Sequence, residues 1–214
     1  MFYKLFKFST LLLILSALTQ CSYNALLQDT PNVVTEDQRP AAWKKNQVSL
    51  NQLRTKKNWT MLARVGLVSK QGSSSSQLDW INNSNSNYQI TLNNMLTYGV
   101  IVIHKKQNQV TLKYQDELYT AKNPEELLHK LTSLKLPVSQ LEYWLLGLPS
   151  PHLKTHDLEL NKYALLQSLT QDSFKITYDS YSHVGDYKLP HKIIIKSPAV
   201  HIKINVQGWN LNSE

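Results

Sequence analysis

The residue with the most distinctive chemistry in this sequence is Cys21, because it is the only cysteine among the 214 residues. A single thiol cannot form a disulfide within the chain, and it lacks the companion ligands of a structural zinc site. The stretch STLLLILSALTQCS, residues 9–22, places this thiol directly after a short apolar run. The role of Cys21 therefore depends on the segment that precedes it.

That segment has the layout of an export signal. Lys4 and Lys7 provide a positive start, and an apolar core follows from Phe8 to Leu18. The core is about half as long as the roughly 20 residues that a membrane-spanning helix needs. We therefore expect residues 1–20 to be removed as a signal peptide.

The residues before the cysteine resemble a bacterial lipobox. Leu18, Thr19 and Gln20 precede Cys21, although the residue directly before the cysteine is usually Gly, Ala or Ser. Such a motif implies that a diacylglycerol alkylates the thiol, that the preceding peptide is cut away, and that the freed amine is acylated. These chains would anchor the protein firmly, since each buried CH₂ contributes about 0.8 kcal/mol. An ordinary secretory signal with an incidental cysteine is the alternative.

The charge of the chain limits its partners. The formal net charge is +8, and it falls to +6 when the signal peptide leaves with two lysines and no acid. A positive balance permits attraction to anionic lipid head groups or to nucleic acid. Because the basic residues are scattered and no Lys/Arg block interleaves with aromatic residues, we expect no nucleic-acid partner.

The sequence contains no convincing enzyme motif. It lacks a GxSxG elbow, an HExxH helix and a phosphate-binding glycine loop, and it has only six glycines. His152 and His156 have i, i+4 spacing beside Asp157, but Pro149 and Pro151 predict a loop there rather than a helix. We therefore expect no catalytic activity, no metal and no cofactor.

The part of the chain after the cysteine begins as a polar segment. Residues 21–40 contain two prolines and show little periodicity, which is typical of a tether between a lipid anchor and a domain. A helix is predicted over residues 42–57. The expected organisation is thus a signal peptide over 1–20, a lipidated tether over 21–40 and one folded domain over 41–214.

Alternation of apolar and polar residues predicts a domain built mainly of β-strands. Residues 59–67 place an apolar side chain at every second position, as a half-buried strand requires. We interpret GSSSS at 72–76 and NNSNSN at 82–87 as polar turns, and KKQN at 105–108 as the turn of another hairpin. Further strands are predicted over 78–80, 88–92, 99–104, 109–114, 174–178 and 200–206.

The middle of the chain has a helical pattern instead. Asn123 can cap a helix that has Pro124 at its first position and acids in its first turn. The helix presents one apolar stripe, formed by Leu127, Leu128, Leu131 and Leu134. Ser139 is predicted to cap a second, short helix over QLEYWLL, which Gly147 and Pro149 end.

Many short strands interrupted by one helical block indicate a mainly β fold. We expect a single antiparallel sheet that curls toward a barrel, with short helices over its open mouth, because a flat sheet would expose its apolar face to water. A barrel of this size can enclose a cavity for one apolar ligand.

Several stretches resemble the LolB family. The most similar is LPVSQLEYWLLGLPSP at 136–151, and LDW at 78–80, KLPHKIIIK at 188–196 and VQGWNL at 206–211 follow the family order. The resemblance implies an unclosed antiparallel β-barrel whose apolar cavity is covered by short α-helices, as in LolA and LolB.

The resemblance also implies a function. LolB proteins accept lipoproteins from the periplasmic carrier LolA by binding their acyl chains, and they insert them into the inner leaflet of the outer membrane. The expected partners are therefore LolA, the acyl chains of cargo lipoproteins and outer-membrane phospholipid, and we expect a monomer. Ser22 follows the cysteine instead of the Asp that signals inner-membrane retention, which favours an outer-membrane location facing the periplasm.

One loop stands out through the resemblance. The stretch LNNMLTYG at 92–99 occupies the place of a family turn that carries an exposed leucine, here Leu96, with Met95 and Thr97 where proline and glycine are usual. Met95, Leu96 and Tyr98 put apolar side chains at a hairpin tip, where polar residues are typical. We expect this loop to insert into a membrane; the alternative is that Leu96 packs into the core.

Four residues are candidates for the walls of the acyl-chain cavity: Trp80, Trp144, Leu145 and Trp209. Tryptophans on the inner face of a small barrel or on its lid would line an apolar space, and the resemblance implies a cavity rich in aromatic residues. Trp144 is the strongest candidate because it belongs to the predicted lid. Plain core packing is the alternative for each of them.

Two other functions fit the same pattern. A structural outer-membrane lipoprotein, or a lipid-binding module without transfer activity, would share the anchor and the barrel. A lipid-modifying hydrolase would act on the bound chain. Uptake of a fluorescent acyl probe by a form without Cys21 separates these alternatives.

Overall fold

The computed structural model describes residues 38–83, 87–94 and 99–211. The predicted lipidation site Cys21 and the predicted insertion residues Met95, Leu96 and Tyr98 lie outside the described residues. Their roles stay predictions.

The described residues form one antiparallel sheet of eleven strands. Its order is β6-β5-β4-β3-β2-β1-β11-β10-β9-β8-β7, so β6 and β7 are its two free edges and the barrel is not closed. The predicted fold class is thus confirmed. The strands are β1 (Asn58–Ser69), β2 (Gly72–Asn83), β3 (Tyr88–Asn94), β4 (Val100–Lys106), β5 (Gln109–Tyr114), β6 (Glu117–Ala121), β7 (Thr155–Leu160), β8 (Leu166–Gln171), β9 (Phe174–Val184), β10 (Tyr187–Lys196) and β11 (Val200–Asn210).

Three helices accompany the sheet in the described part of the chain: α1 (Arg39–Lys56), α2 (Pro124–Thr132) and α3 (Val138–Trp144). Helix α1 precedes the first strand, whereas α2 and α3 connect the two edge strands β6 and β7. None of the helices in the described ranges is long and apolar enough to cross a membrane.

The predicted start of α2 is confirmed. The side chain of Asn123 accepts a hydrogen bond of 2.9 Å from the backbone N–H of Glu126, and Pro124 occupies the first turn. The predicted cap at Ser139 is wrong, because α3 begins at Val138 and Ser139 lies inside the helix. The amide and hydroxyl of Ser139 donate instead to the Glu125 carboxylate, which ties α3 to α2.

The serine-rich run at 72–76 is a strand rather than the predicted turn. The chain reverses at residues 70–71, and Ser69 pairs with Gly72, whose φ of +131° suits glycine. From there the serines pair with β1 as part of β2. Ladder pairing thus overrides the turn preference of Ser and Gly.

The asparagine-rich run begins as a strand rather than as the predicted turn. Asn82 and Asn83 belong to β2, and residues 84–86 lie outside the described ranges. Asn82 is fully buried, and its amide group donates to the backbone oxygens of Arg54 and Lys57. Its side chain therefore fixes the end of α1 to the sheet.

Candidate functional site

An apolar cavity of about 510 Å³ lies between the inner face of the sheet and the two connecting helices. Most of its sheet wall is formed by aliphatic side chains at every second strand position, which is the pattern that predicts the strands. These side chains are Val65, Leu67, Leu78, Ile90, Leu92, Ile101, Ile103, Ile202 and Ile204.

The opposite wall comes from α2, α3 and the segment between them. Leu128 and Leu131 reach the cavity because they belong to the apolar stripe of α2, and Leu134 continues it beyond the helix end. Val138 and Leu141 add the contribution of α3. The helices therefore act as an apolar lid.

The cavity has a polar mouth. Every second residue of β2 from 74 to 80 lines the cavity. The wall along this strand therefore changes from the hydroxyls of Ser74 and Ser76 to the aliphatic Leu78 and then to the aromatic Trp80. Trp80 is fully buried and Ser76 and Ser74 are half-buried, whereas the lining residues at the turn, 71–73, are exposed. The cavity thus opens at the β1–β2 turn, and we call this end the mouth.

An aromatic cluster closes the inner end. The rings of Trp80 and Tyr88 lie 5.0 Å apart, those of Trp59 and Trp80 lie 6.2 Å apart, and those of Trp59 and Trp209 lie 5.5 Å apart. The indole N–H of Trp80 and the hydroxyl of Tyr88 are buried without a hydrogen-bond partner among the described residues. Burial, and then the negative charges of nearby glutamates, raise the pKa of Tyr88.

The lid is attached to α1 by a buried ion pair. Nη1 of Arg54 lies 2.8 Å from Oε1 of Glu142, with the two side chains only 12% and 4% exposed. The same guanidinium lies 4.3 Å from the ring centroid of Tyr143. Arg54 thereby fixes two consecutive residues of α3.

The structure brings one of the four predicted cavity residues to the wall. Trp80 lines the cavity, whereas Trp144, Leu145 and Trp209 are not among its lining residues. Contact of any of the four with an acyl chain stays a prediction.

The reason is the direction in which α3 and β11 present these side chains. Trp144 is fully buried against β8 and β9: its indole N–H donates to Gln171 over 2.8 Å, and its ring lies 5.5 Å from that of Phe174. Trp209 packs against Trp59 and donates to the backbone oxygen of Pro190.

The serine side chains that line the cavity mouth were not predicted from the sequence. Ser74 and Ser76 share the inward face with Leu78 and Trp80, and period-two alternation continued backwards from LDW would have indicated it. The turn-like composition of GSSSS concealed that signal.

The strands next to the predicted insertion loop end at the mouth. Asn94 of β3 pairs with Ser76 in the hydroxyl part of β2, and Val100 begins β4 opposite Asn93. The end of β3 and the start of β4 therefore lie on the side where the cavity opens.

The histidines considered as metal ligands have no such setting. His152 packs edge-on against Tyr143, with ring centroids 6.1 Å apart. Across residues 38–83, 87–94 and 99–211, no three His, Cys, Asp or Glu side chains are grouped so that they could hold a metal ion.

Comparisons with known proteins agree with this architecture. The outer-membrane lipoprotein LolB of Pseudomonas fluorescens is 30% identical over 171 residues, which cover 79% of this chain and 81% of the relative. The LolB of Aeromonas salmonicida is 24% identical over 212 residues, which cover 99% of this chain and 98% of the relative.

Two solved structures share the fold. A LolA superfamily protein from Nitrosomonas europaea aligns with a TM-score of 0.52 at 8% identity, over 80% of this chain and 94% of the other. A putative outer membrane lipoprotein-sorting protein domain from Vibrio parahaemolyticus aligns with a TM-score of 0.51 at 10% identity, over the same shares.

The family assignment follows from the sequence match. The family model for the outer membrane lipoprotein LolB matches residues 57–209, from the start of β1 almost to the end of β11. That range is more than half of the chain and contains both the cavity and its lid. This protein therefore belongs to the family of the outer-membrane lipoprotein LolB.

Proposed function

We propose that this protein accepts lipoproteins from the periplasmic carrier LolA by binding their acyl chains in the apolar cavity. It then inserts them into the inner leaflet of the outer membrane without nucleotide hydrolysis. The location at the outer membrane, facing the periplasm, agrees with the family of outer-membrane lipoproteins to which the chain belongs.

The observation that carries the proposal is the cavity itself. Its volume of about 510 Å³ falls within the roughly 300–1,000 Å³ of pockets that enclose small molecules. Its walls are aliphatic on both the sheet and the lid, and its mouth is lined by hydroxyls. An acylated N-terminus has the same polarity, with a hydrocarbon tail and an ester group at its head.

The energetics of burial explain why transfer needs no nucleotide. Removing an acyl chain of about fifteen carbons from water contributes on the order of 12 kcal/mol at about 0.8 kcal/mol per CH₂. A protein that sheltered the chain this well could not release it to water. Transfer must therefore proceed from the carrier to this cavity and then to the bilayer, each sheltering the chain better than the one before.

The matched pair Ser76→Trp and Gln77→Trp tests the cavity. These neighbours lie on opposite faces of β2, because Ser76 lines the cavity and Gln77 pairs with the outward Arg64. An indole at position 76 would fill space that the acyl chain needs. We expect Ser76→Trp to lower the affinity for a fluorescent acyl probe by at least about tenfold, and Gln77→Trp to leave it unchanged.

The measurement uses the full chain carrying Cys21→Ala, so that no acyl anchor competes with the probe. Thermal unfolding checks that both variants fold. Equal probe binding by the two variants would contradict the proposal that the cavity binds the acyl chain. Normal binding without transfer from LolA to vesicles would instead identify a lipid-binding module.

The insertion step has its own test. Leu96→Glu places a charge in the segment that follows β3, and a charge resists entry into a bilayer. We expect probe uptake to stay intact while release of cargo into vesicles stops. Normal release by this variant would contradict a role of Met95, Leu96 and Tyr98 in membrane insertion.

A further inference from the structure

The outer face of strands β9, β10, β11 and β1 is strongly basic. Asp179 is the only acid in these four strands, all of whose residues are described, and it pairs with Lys192 at 2.8 Å. The exposed cations of this surface, which we call the basic face, are Arg64, Lys175, Lys192, Lys196 and Lys203.

Like charges lie directly opposite each other on the basic face. Lys175 pairs with Lys196 across β9 and β10. Such cross-strand pairs of like charge are destabilising. Across β10 and β11, Lys196 also pairs with His201, whose imidazole is neutral at pH 7. Burial, and then the positive charges of Lys196 and Lys203, lower the pKa of His201.

Of these cations, only Lys192 has an ion-pair partner among the described residues. Lys175, Lys196 and Lys203 form no ion pair with any described residue, in contrast to Lys192. A row of unpaired cations that costs stability indicates an external counter-charge.

The row lies next to the cavity mouth. His201 pairs with Val68, and the next pair along is Ser69 with Val200, beside the turn that carries Lys70. Val68 is 54% exposed although it is aliphatic. Cations and an exposed aliphatic side chain are thus adjacent at the edge where the cavity opens.

We propose that the basic face binds anionic phospholipid head groups and so holds the cavity mouth against the bilayer surface. Only the use of this contact in delivery rests on the proposed function; the binding itself does not. Attraction to an anionic bilayer surface acts on each Lys or Arg near it, and the aliphatic Val68 can contact the head-group region.

The composition of the face favours lipid over a protein partner. Four of its five cations are lysines, and no aromatic residue is exposed among them. Protein interfaces are instead depleted in lysine and enriched in arginine and aromatic residues. Long lysine side chains on an aliphatic surface are suited to lipid head groups.

The charges on the other side of the cavity mouth indicate how the protein is oriented on the bilayer. The β5–β6 turn reaches the same end of the sheet, because Tyr114 pairs with Ile101 near the start of β4, and it carries Asp116 and Glu117. These acids would be repelled by an anionic surface. The side of the mouth formed by β9 to β1 therefore faces the lipid.

The test compares two triple variants of the full chain carrying Cys21→Ala. One carries Lys175→Gln, Lys196→Gln and Lys203→Gln. The matched control removes three exposed cations from α1 through Lys44→Gln, Lys45→Gln and Lys56→Gln. Both variants lower the net charge by three. Any difference in vesicle binding between them therefore depends on where the removed lysines lie.

Binding is measured by co-sedimentation with vesicles of phosphatidylcholine, with or without one part in three of phosphatidylglycerol. The difference between the two vesicle types is the readout, so an apolar contribution from the N-terminal segment cancels. We expect the basic-face variant to lose the phosphatidylglycerol-dependent binding by at least about tenfold, and the control to change by less than about twofold. Salt at about 1 M, where the Debye length is about 3 Å, should abolish it in the parent chain.

Equal losses in the two variants would overturn the inference, as would binding that does not depend on phosphatidylglycerol. Retained vesicle binding with lost association to purified LolA would overturn it in favour of a carrier-docking surface. Acyl-probe uptake by the basic-face variant should remain normal. The two proposals can fail separately. If the basic-face variant loses vesicle binding while Ser76→Trp and Gln77→Trp bind the acyl probe equally, this inference is supported and the proposed function is contradicted.

Discussion

The inner side of the sheet contains two regions that differ in packing. Under α2, the sheet and the lid leave a cavity of about 510 Å³. Under the end of α3, Trp144 fills the space against β8 and β9, and the hydroxyl of Tyr178 on β9 donates to the Trp144 backbone oxygen. The lid therefore covers a cavity at one end and is packed onto the sheet at the other.

Gln171 is the centre of the packed region. It is fully buried: its Oε1 accepts from Trp144 and from the amide of Ser150, and its Nε2 donates to the Ser150 oxygen and the Thr155 hydroxyl. In the cavity region, by contrast, the Trp80 N–H has no partner among the described residues. The buried polar groups around Gln171 are thus satisfied within the protein, whereas the cavity region contains a buried donor that is not.

The largest effect is expected from Gln171→Leu. This change leaves two buried donors, the Trp144 indole and the Ser150 amide, without acceptors, and each costs about 1–3 kcal/mol. We expect the free energy of unfolding to fall by about 3 kcal/mol in urea denaturation. The exposed Gln109→Leu is the control, and an equally small effect of both changes would mean that the packed region is not the attachment of the lid.

A smaller effect is expected from Glu142→Gln, which removes the negative partner of Arg54 and leaves that cation largely buried. We expect a loss of about 2 kcal/mol in the same assay. The matched control is Glu126→Gln, whose pair with Lys130 is exposed and is worth at most about 0.5 kcal/mol. Equal losses would show that the Arg54 pair does not hold α3.

The smallest effect comes from making one substitution in both regions. Trp144→Phe loses a hydrogen bond to Gln171, whereas Trp80→Phe loses an N–H that has no partner. We expect Trp144→Phe to be the more destabilising by about 1–2 kcal/mol in thermal unfolding. A larger loss for Trp80→Phe would contradict the division into a packed region and an open one.

Much of the fold was predictable from the sequence because local rules agreed with the final structure. Period-two alternation predicted β1 and β11, and the Asn123 cap with its leucine stripe predicted α2. Turn chemistry misled at the serine run, since Ser and Gly favour turns until a neighbouring strand pairs with them.

The division between cavity and core was not predictable in this way. Trp80 and Trp144 are both completely buried, and nothing in their local sequence distinguishes a wall from a filled core. The distinction arises from Gln171, which lies 27 residues after Trp144 and accepts a hydrogen bond from its indole N–H. Contacts across that separation depend on how α3 docks onto β8 and β9.

The most direct test of the central claim is quenching of tryptophan fluorescence by a fatty acyl chain brominated along its tail, in the chain carrying Cys21→Ala. We expect the brominated acyl chain to quench the parent protein, Trp80→Phe to remove most of the quenching, and Trp144→Phe to leave it intact. Quenching that survives Trp80→Phe but disappears in Trp144→Phe would contradict the account, as would no quenching in the parent protein.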